Sequence, residues 1–416
     1  MQVYLVGGAV RDTLLNREVT ERDWVVVGAT PEQLSHLGYQ QVGKDFPVFL
    51  HPDSKEEYAL ARTERKQGSG YHGFACYFDS DVTLEQDLIR RDLTVNAMAM
   101  TEDGAVIDPY NGRKDLANRI LRHVSDAFIE DPLRVLRVAR FAARYHTLGF
   151  TVAEETLQLM RKMATSGELS DITPERVWQE INKALSEESP HIFFSILHDC
   201  GALVCFMPEL DALWGIPNPA KWHPEIDSGI HTMMVLEQAA KLTTSTMTRF
   251  AALCHDLGKA LTEKALLPSH HGHEKAGVDI IKKVAARLKI PNSYKKLAMI
   301  TSEFHLHCHR ALELNPKTLV KVLEKAQAYR QEELFLQFLL ACEADFKGRT
   351  GFEHKDYPQR RLFQDILAKT RKVDATLFTE QGLTGQQIGQ HIHRYRVELA
   401  KQIQQKYQGM NYESNH

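Results

Sequence analysis

Gly7-Gly8-Ala9-Val10-Arg11-Asp12-Thr13-Leu14-Leu15-Asn16-Arg17-Glu18-Val19-Thr20-Glu21-Arg22-Asp23 lies between two apolar runs, Val3-Tyr4-Leu5-Val6 and Trp24-Val25-Val26-Val27. Short β-branched runs bounded by turn residues predict strands, and the stretch between them predicts a helix from about Ala9 to Leu15. Glu21 and Asp23 stand two apart just before the second strand, so a strand-like backbone projects both carboxylates to one face, toward the glycine turn. Glycine lets a backbone approach a ligand closely, and the helix start that follows favours an anion. Hard oxygen ligands beside a phosphate cradle suit magnesium and a nucleoside triphosphate. Surface turns also carry Asp and Glu, so this stretch needs support from the rest of the chain.

That support begins at Arg90-Arg91-Asp92-Leu93-Thr94-Val95-Asn96-Ala97. Two guanidinium forks suited to phosphate precede an Asp and an Asn four apart, short groups able to hold a ribose. The competing reading is a solvated helix cap with Asp92 as N-cap. Next comes Glu130-Asp131-Pro132-Leu133-Arg134-Val135-Leu136-Arg137-Val138-Ala139-Arg140-Phe141-Ala142-Ala143-Arg144. Pro132 is placed to open a helix. Arg134, Arg137, Arg140 and Arg144 then share one helix face, with Leu133, Leu136, Ala139 and Ala143 on the other. No acidic residue lies between Pro132 and Ala153, so the arginines suggest a cleft lined for phosphates and bases. Asp131 and Arg134 offer an acceptor and a fork to a base edge.

With Asp108-Pro109-Tyr110-Asn111-Gly112-Arg113-Lys114-Asp115-Leu116 between them, these motifs stand in a fixed order. In that order they resemble the motif set of the class II tRNA nucleotidyltransferases, the CCA-adding enzymes of the polymerase-β-like superfamily, over residues 1 to about 225. The resemblance implies magnesium on Glu21 and Asp23. It implies contacts to CTP or ATP from Gly8, Arg11, Arg91, Arg137 and Arg140, and ribose recognition by Asp92. Asp131 and Arg134 are implied as a protein template that hydrogen-bonds the incoming base. Residues 65–73, a glycine-bearing polar segment that reads as mobile, correspond to the family's flexible loop. The family's usual first metal ligand is Asp where this chain has Glu21, one methylene longer. Glu57 is a candidate third carboxylate.

A separate constellation lies downstream. His255-Asp256 falls in Ala252-Leu253-Cys254-His255-Asp256-Leu257-Gly258-Lys259, read as an apolar helix ending at Gly258. His231 precedes it, and His270, His271, His273, His305, His307 and His309 follow. Adjacent His and Asp with distant partner histidines resemble the HD phosphohydrolases, in which imidazole and carboxylate hold a divalent metal. The expected ligands are His231, His255, Asp256 and Asp345, with none assigned among residues 270–309. CCA-adding enzymes that carry such a segment imply 2′,3′-cyclic phosphodiesterase and 2′-nucleotidase/phosphatase activities, with nickel favoured.

Chain length and composition bound these readings. With 416 residues, several domains are expected. The segments 1–140, 141–224, 225–330 and 331–416 read as a nucleotidyltransferase head, a helical neck, an HD domain and a helical, tRNA-contacting tail. The stretch 215–224, with three prolines and a glycine, is the clearest boundary. The fold class is α+β: a polymerase-β-like head with a small mixed sheet, then helices. Six cysteines without a C-x-x-C pair, no apolar run of membrane length and no visible signal peptide predict a cytoplasmic protein with no membrane partner. The net charge of −3, and 18 Lys/Arg against 22 Asp/Glu in the first 150 residues, exclude a uniformly basic polyanion binder. A nucleic-acid partner must therefore meet local basic patches and be recognised by its shape or its ends; the resemblance implies that this partner is the tRNA 3′ end. The chain is expected to act as a monomer or homodimer. The readings left open are a poly(A) polymerase, a C-only or A-only adding enzyme, and a metal phosphohydrolase with a nucleotide-sensing head.

Overall fold

Apolar runs near the N-terminus pair into one seven-stranded mixed sheet. Its strands are β1 (Gln2–Val6), β2 (Asp23–Val27), β3 (Gln40–Val42), β4 (Val48–Leu50), β5 (Glu57–Leu60), β8 (Ala99–Met100) and β9 (Val106–Ile107), in the order β3-β4-β5-β2-β1-β8-β9. The β2–β5 pair is parallel and its other neighbours run antiparallel. The computed structural model describes residues 1–42, 48–66, 74–221, 223–373 and 385–413. Residues 67–73, within the segment read as a mobile loop, lie outside the described residues; β6 (Thr63–Lys66) and β7 (Phe74–Tyr77) pair on either side of them.

Alternation along β2 places neighbouring residues in two cores. Val25 packs with Val6, Leu88 and Ala97, and Val26 with Leu34, Phe49 and Leu60. Around the sheet lie α1 (Gly8–Leu14), α2 (Pro31–His36), α3 (Leu84–Ile89) and α4 (Gly112–Asn118). The start of α3 is set by a capping box: Gln86 N donates to Thr83 Oγ1, and Thr83 N donates to Gln86 Oε1. The composition of Val95–Met100 predicts a strand, but only Ala99–Met100 forms one. Thr94–Asn96 forms a 3₁₀ turn instead, because Thr94 and Asn96 turn inward to donate to Asp115 and Asp92.

The helices α5 (Leu133–Tyr145), α6 (Glu154–Ser166), α7 (Pro174–Ser186), α8 (Pro190–Asp199) and α9 (Leu203–Phe206) complete a first compact unit, Met1–Phe206. Helix α5 packs on α7 and α8, and its Val135, Leu136, Val138 and Ala139 are fully buried. Each buried Leu or Val there contributes about 1.5–3 kcal/mol, enough to hold a helix that also carries four arginines.

The second unit, Met207–His416, contains α10 (Pro208–Asp211), α11 (Ser228–Leu242), α12 (Thr246–Cys254), α13 (His273–Arg287), α14 (Asn292–His309), α15 (Pro316–Lys325), α16 (Glu332–Lys347), α17 (Pro358–Thr370) and α18 (Gly385–Glu413). The stretch 215–224 lies inside this unit, ahead of α11. Asp227 caps α11 and Ser245 caps α12, each accepting from a backbone N–H in the first turn. Helices α11, α12, α14 and α16 pack on one another, with α13 against α14. Among the described residues, no helix is long and apolar enough to cross a membrane.

Candidate functional site

In the first unit a cleft of about 790 Å³ gathers almost every residue singled out in the N-terminal motifs: Gly8, Arg11, Glu21, Asp23, Glu57, Arg91, Asp92, Asp131, Arg134, Arg137 and Arg140. The sheet register explains the carboxylates. Asp23 opens β2 opposite Val6, the last residue of β1, and opposite Glu57, the first residue of β5. Glu21 lies just outside the strand, so the two carboxylates reach the cleft from a strand end and the loop before it, not from one strand face. Burial raises the Asp23 pKa, Arg91 opposes that, and the like charge of Glu21 adds to it. Two like charges with exposed oxygen donors suit a hard divalent ion.

Gly7, with φ +69°, turns the chain from β1 into α1, and a Cβ there would lie 2.9 Å from Arg91 Nη1. The close approach of Arg91 therefore depends on glycine. Arg91 is held from behind by Asp87, a fully buried carboxylate at 3.2 Å that also pairs with Arg90 at 2.6 Å. Arg11 donates to Asn96 Oδ1 at 2.5 Å and to Asp12, with its guanidinium 5.0 Å from the Tyr145 ring. Asn96 in turn donates to Asp92, which accepts from Arg137 at 2.7 and 2.8 Å. Burial pushes the Asp92 pKa up, but Arg137 and Asn96 outweigh it and hold the carboxyl well below its usual range. Asp92 is thus a buried anchor rather than a solvated helix cap.

The arginine face of α5 is neutralised by carboxylates from elsewhere. Arg140 pairs with Glu180 at 2.7 Å, both buried, and Arg144 pairs with Glu187 at 3.0 Å. Local sequence placed no acid between Pro132 and Ala153; Glu180 of α7 and Glu187, the residue just after that helix, supply the carboxylates from elsewhere in the unit. Arg134 donates to the carbonyls of Arg90 and Ala127, both at 2.6 Å. Asp131 Oδ1 accepts from Leu133 N, and its Oδ2 lies 3.8 Å from Arg176. Both line the cleft, and Arg134 N donates to Asp131 O at 3.0 Å.

The second unit brings His231, His255, Asp256 and Asp345 together in one buried cluster. His231 comes from α11, His255 and Asp256 follow α12, and Asp345 comes from α16. Helix α12 ends at Cys254, four residues before the Gly258 expected to end it. Gly258 lies in a 3₁₀ turn pressed against α13, where a Cβ would sit 2.0 Å from His273 O. Asp345 Oδ1 is 3.1 Å from His231 Nε2 and 3.6 Å from His255 Nε2. Asp256 Oδ2 is 3.0 Å from His255 Nε2 and 2.6 Å from Lys259 Nζ. Burial raises both Asp pKa values, but the surrounding cations and imidazoles drive them far below normal.

Residues that the sequence left unassigned complete the cluster. His309 lies 2.6 Å from Asp345 Oδ2, and Tyr357 meets its other ring nitrogen at 2.9 Å. Glu225 reaches His231 Nδ1 at 2.8 Å. His273 and His305 lie beside Asp256, and burial pushes His305 down to about 3. His270 bonds Thr262 and Pro217 O instead, and His307 stands apart from the cluster's bonds. His255 Nε2 and Asp256 Oδ1, both buried, make no hydrogen bond. Unsatisfied buried polar atoms cost about 1–3 kcal/mol each, so imidazole nitrogens and carboxylates with free electron pairs converging on one point fit a divalent transition ion.

Fold and sites together define a nucleotidyltransferase-type head joined to an HD unit. Residues 3–122 match the Poly A polymerase head domain, 149–213 the probable RNA and SrmB-binding site of polymerase A, and 229–334 the HD domain. The multifunctional CCA protein of Thioalkalivibrio sulfidiphilus is 56% identical over 409 residues, covering 98% of this chain and 100% of its own. That of Vibrio campbellii is 57% identical over 401 residues, covering 96% and 99%. The chain belongs to the multifunctional CCA protein family. Two solved structures share its fold: a CCA-adding enzyme with ATP (TM-score 0.65, 18% identity, 96% of this chain and 86% of that one) and the Thermotoga maritima CCA-adding enzyme complexed with tRNA (TM-score 0.60, 18% identity, 98% and 91%).

Proposed function

We propose that the chain completes tRNA 3′ ends by adding C, C and A from CTP and ATP, and that its HD unit hydrolyses 2′,3′-cyclic and 2′-phosphate esters. The observation that carries the first activity is the cleft: two carboxylates at a strand end facing a wall of braced arginines. The tRNA 3′-oxygen attacks the α-phosphorus, a new P–O bond forms, the bond to the β-phosphate breaks, and pyrophosphate leaves. Glu21 and Asp23 would hold magnesium, which supplies charge neutralisation for the triphosphate. Arg91 and Arg11 hold the phosphates, Asp92 and Asn96 orient Arg137 and Arg11, and Asp131 with Arg134 read the base edge. For Arg134 to do so, its bonds to the Arg90 and Ala127 carbonyls must be exchanged for the base.

In the HD unit, His231, His255, Asp256 and Asp345 would hold the divalent ion, nickel in this reading, which supplies Lewis acidity and an acidified water. Lys259, buried beside Asp256, adds a fixed positive charge for a phosphate ester. The family membership and the converging buried donors support this half.

The test is incubation of the purified chain with tRNA lacking its 3′ end and with CTP and ATP, followed by sequencing of the product. C-C-A endings are expected. Long A tracts would favour the poly(A) polymerase reading, and C-C alone a partial-adding enzyme.

A further inference from the structure

We propose that Asp12 and Tyr145 are positioning residues for nucleotidyl transfer, locking the guanidinium of Arg11 in the plane in which it meets the triphosphate; this rests on reading Arg11 as a phosphate contact. Arg11 is 3% exposed and carries five N–H donors. Its Nε donates to Asp12 Oδ1 at 2.9 Å, Nη2 to Asp12 Oδ2 at 2.8 Å and Nη1 to Asn96 Oδ1 at 2.5 Å. Among the described residues, that leaves one N–H on each terminal nitrogen, the pair that a phosphate accepts in a bidentate contact. A Cβ on Gly8 would lie 3.3 Å from Nη2, so this pair stands at the glycine turn.

Asp12 does not hold that plane alone. It follows Arg11 directly in α1, and its side chain is 20% exposed, so its carboxylate is free to turn toward water. Tyr145, the last residue of α5 and itself buried, prevents this: its hydroxyl donates to Asp12 Oδ1 at 3.2 Å. Burial pushes the pKa of that hydroxyl up to about 12, so it remains a donor at neutral pH. The rings of Tyr145 and Phe141 stand 5.0 and 5.4 Å from the guanidinium carbon, close enough to favour its charge. Asn96 by itself would let the guanidinium swing about one hydrogen bond, whereas a carboxylate edge fixes a planar fork. The clamp thus joins α1, at the phosphate cradle, to the far end of the arginine helix. Such a clamp acts on rate more than on affinity, because a misplaced phosphate still binds but reacts slowly.

The test is steady-state C addition by the full chain to tRNA lacking its 3′ end, beside equilibrium binding of CTP. Asp12→Ala is expected to lower kcat about 100-fold, with CTP affinity within about threefold of the parent. Tyr145→Phe, which loses only the hydroxyl, is expected to lower kcat about fivefold. In the double variant that hydroxyl has nothing left to hold, so kcat is expected within about twofold of Asp12→Ala alone. Thermal melting confirms folding; should Asp12→Ala fail to fold, Asp12→Asn takes its place with an expected loss of about tenfold. Losses that multiply in the double variant overturn the clamp. So does Asp12→Ala at the parent's kcat while Arg11→Ala loses activity, and this leaves the phosphate reading of Arg11 standing. Arg11→Ala at the parent's kcat and CTP affinity overturns that reading and the clamp with it, and a parent that adds no nucleotide overturns the transferase reading and both.

Discussion

The two sites solve opposite electrostatic problems. The head cleft is open: its carboxylates reach solvent, and Arg91, Arg137, Arg140 and Arg144 are braced from behind by the buried acids Asp87, Asp92, Glu180 and Glu187. The HD cluster is closed, with its donors 0–3% exposed for His231, His255, Asp256 and Asp345. An open site with oxygen donors suits an ion that arrives with a polyphosphate and leaves with it. A closed site with imidazole donors suits an ion that stays, because burying unpaired charge is costly without one.

The widest separation of the two sites comes from Asp23→Ala. Nucleotide addition is expected to fall by about three orders of magnitude, about 4 kcal/mol of transition-state stabilisation, while hydrolysis of 2′,3′-cyclic AMP is unchanged. Loss of both together would break the comparison. The mirror variant, His255→Ala, is expected to abolish hydrolysis of 2′,3′-cyclic AMP and lower transition-metal content, with C and A addition within about twofold of the parent. Because residues 250–253 before it are all buried, both activities are to be measured well below the variant's melting temperature.

Smaller effects sharpen how each site is held. Glu225→Gln weakens the support of His231 and is expected to cost about 10–100-fold in HD metal affinity, read by competition with a chelator, with no change in KM for CTP. Glu180→Ala strips Arg140 of its buried partner; about 3–5 kcal/mol of stability is expected to go in thermal denaturation, and KM for CTP and ATP to rise about tenfold. Asp131→Ala is expected to cost about 1 kcal/mol of discrimination, seen as a higher share of UTP and GTP in the product at nearly constant KM.

Much of this molecule was legible in advance where chemistry is local. The glycine turn, the acidic pair and the His-Asp dipeptide each occupy a few consecutive residues, and their strands and helices follow from apolar periodicity and caps. Val95 and Asn96, in a run whose composition predicts a strand, turn instead of extending because Thr94 and Asn96 answer to Asp115 and Asp92, and Asp115 lies outside any local window of periodicity. Helix α12 ends at Cys254 rather than at Gly258, which belongs to a 3₁₀ turn packed closely on α13, a contact that nothing in local sequence could show.

By itself, then, the sequence determined which groups can do chemistry: carboxylates before β2, arginines at helical spacing along α5, histidines and aspartates scattered through the second unit. Tertiary structure alone decided which of them act together. Glu180 meets Arg140 across 40 residues, and Asp345 meets His231 across 114. His305 and His309 are told from His307 only by which face of α14 turns inward, and His273 from His270 and His271 by lying in α13 rather than in the turn before it. Periodicity sets what shares a face within one helix, but nothing in it specifies which faces of different helices meet. That choice is made by the packing of whole elements, where many weak apolar contacts sum to more than any single ionic pair.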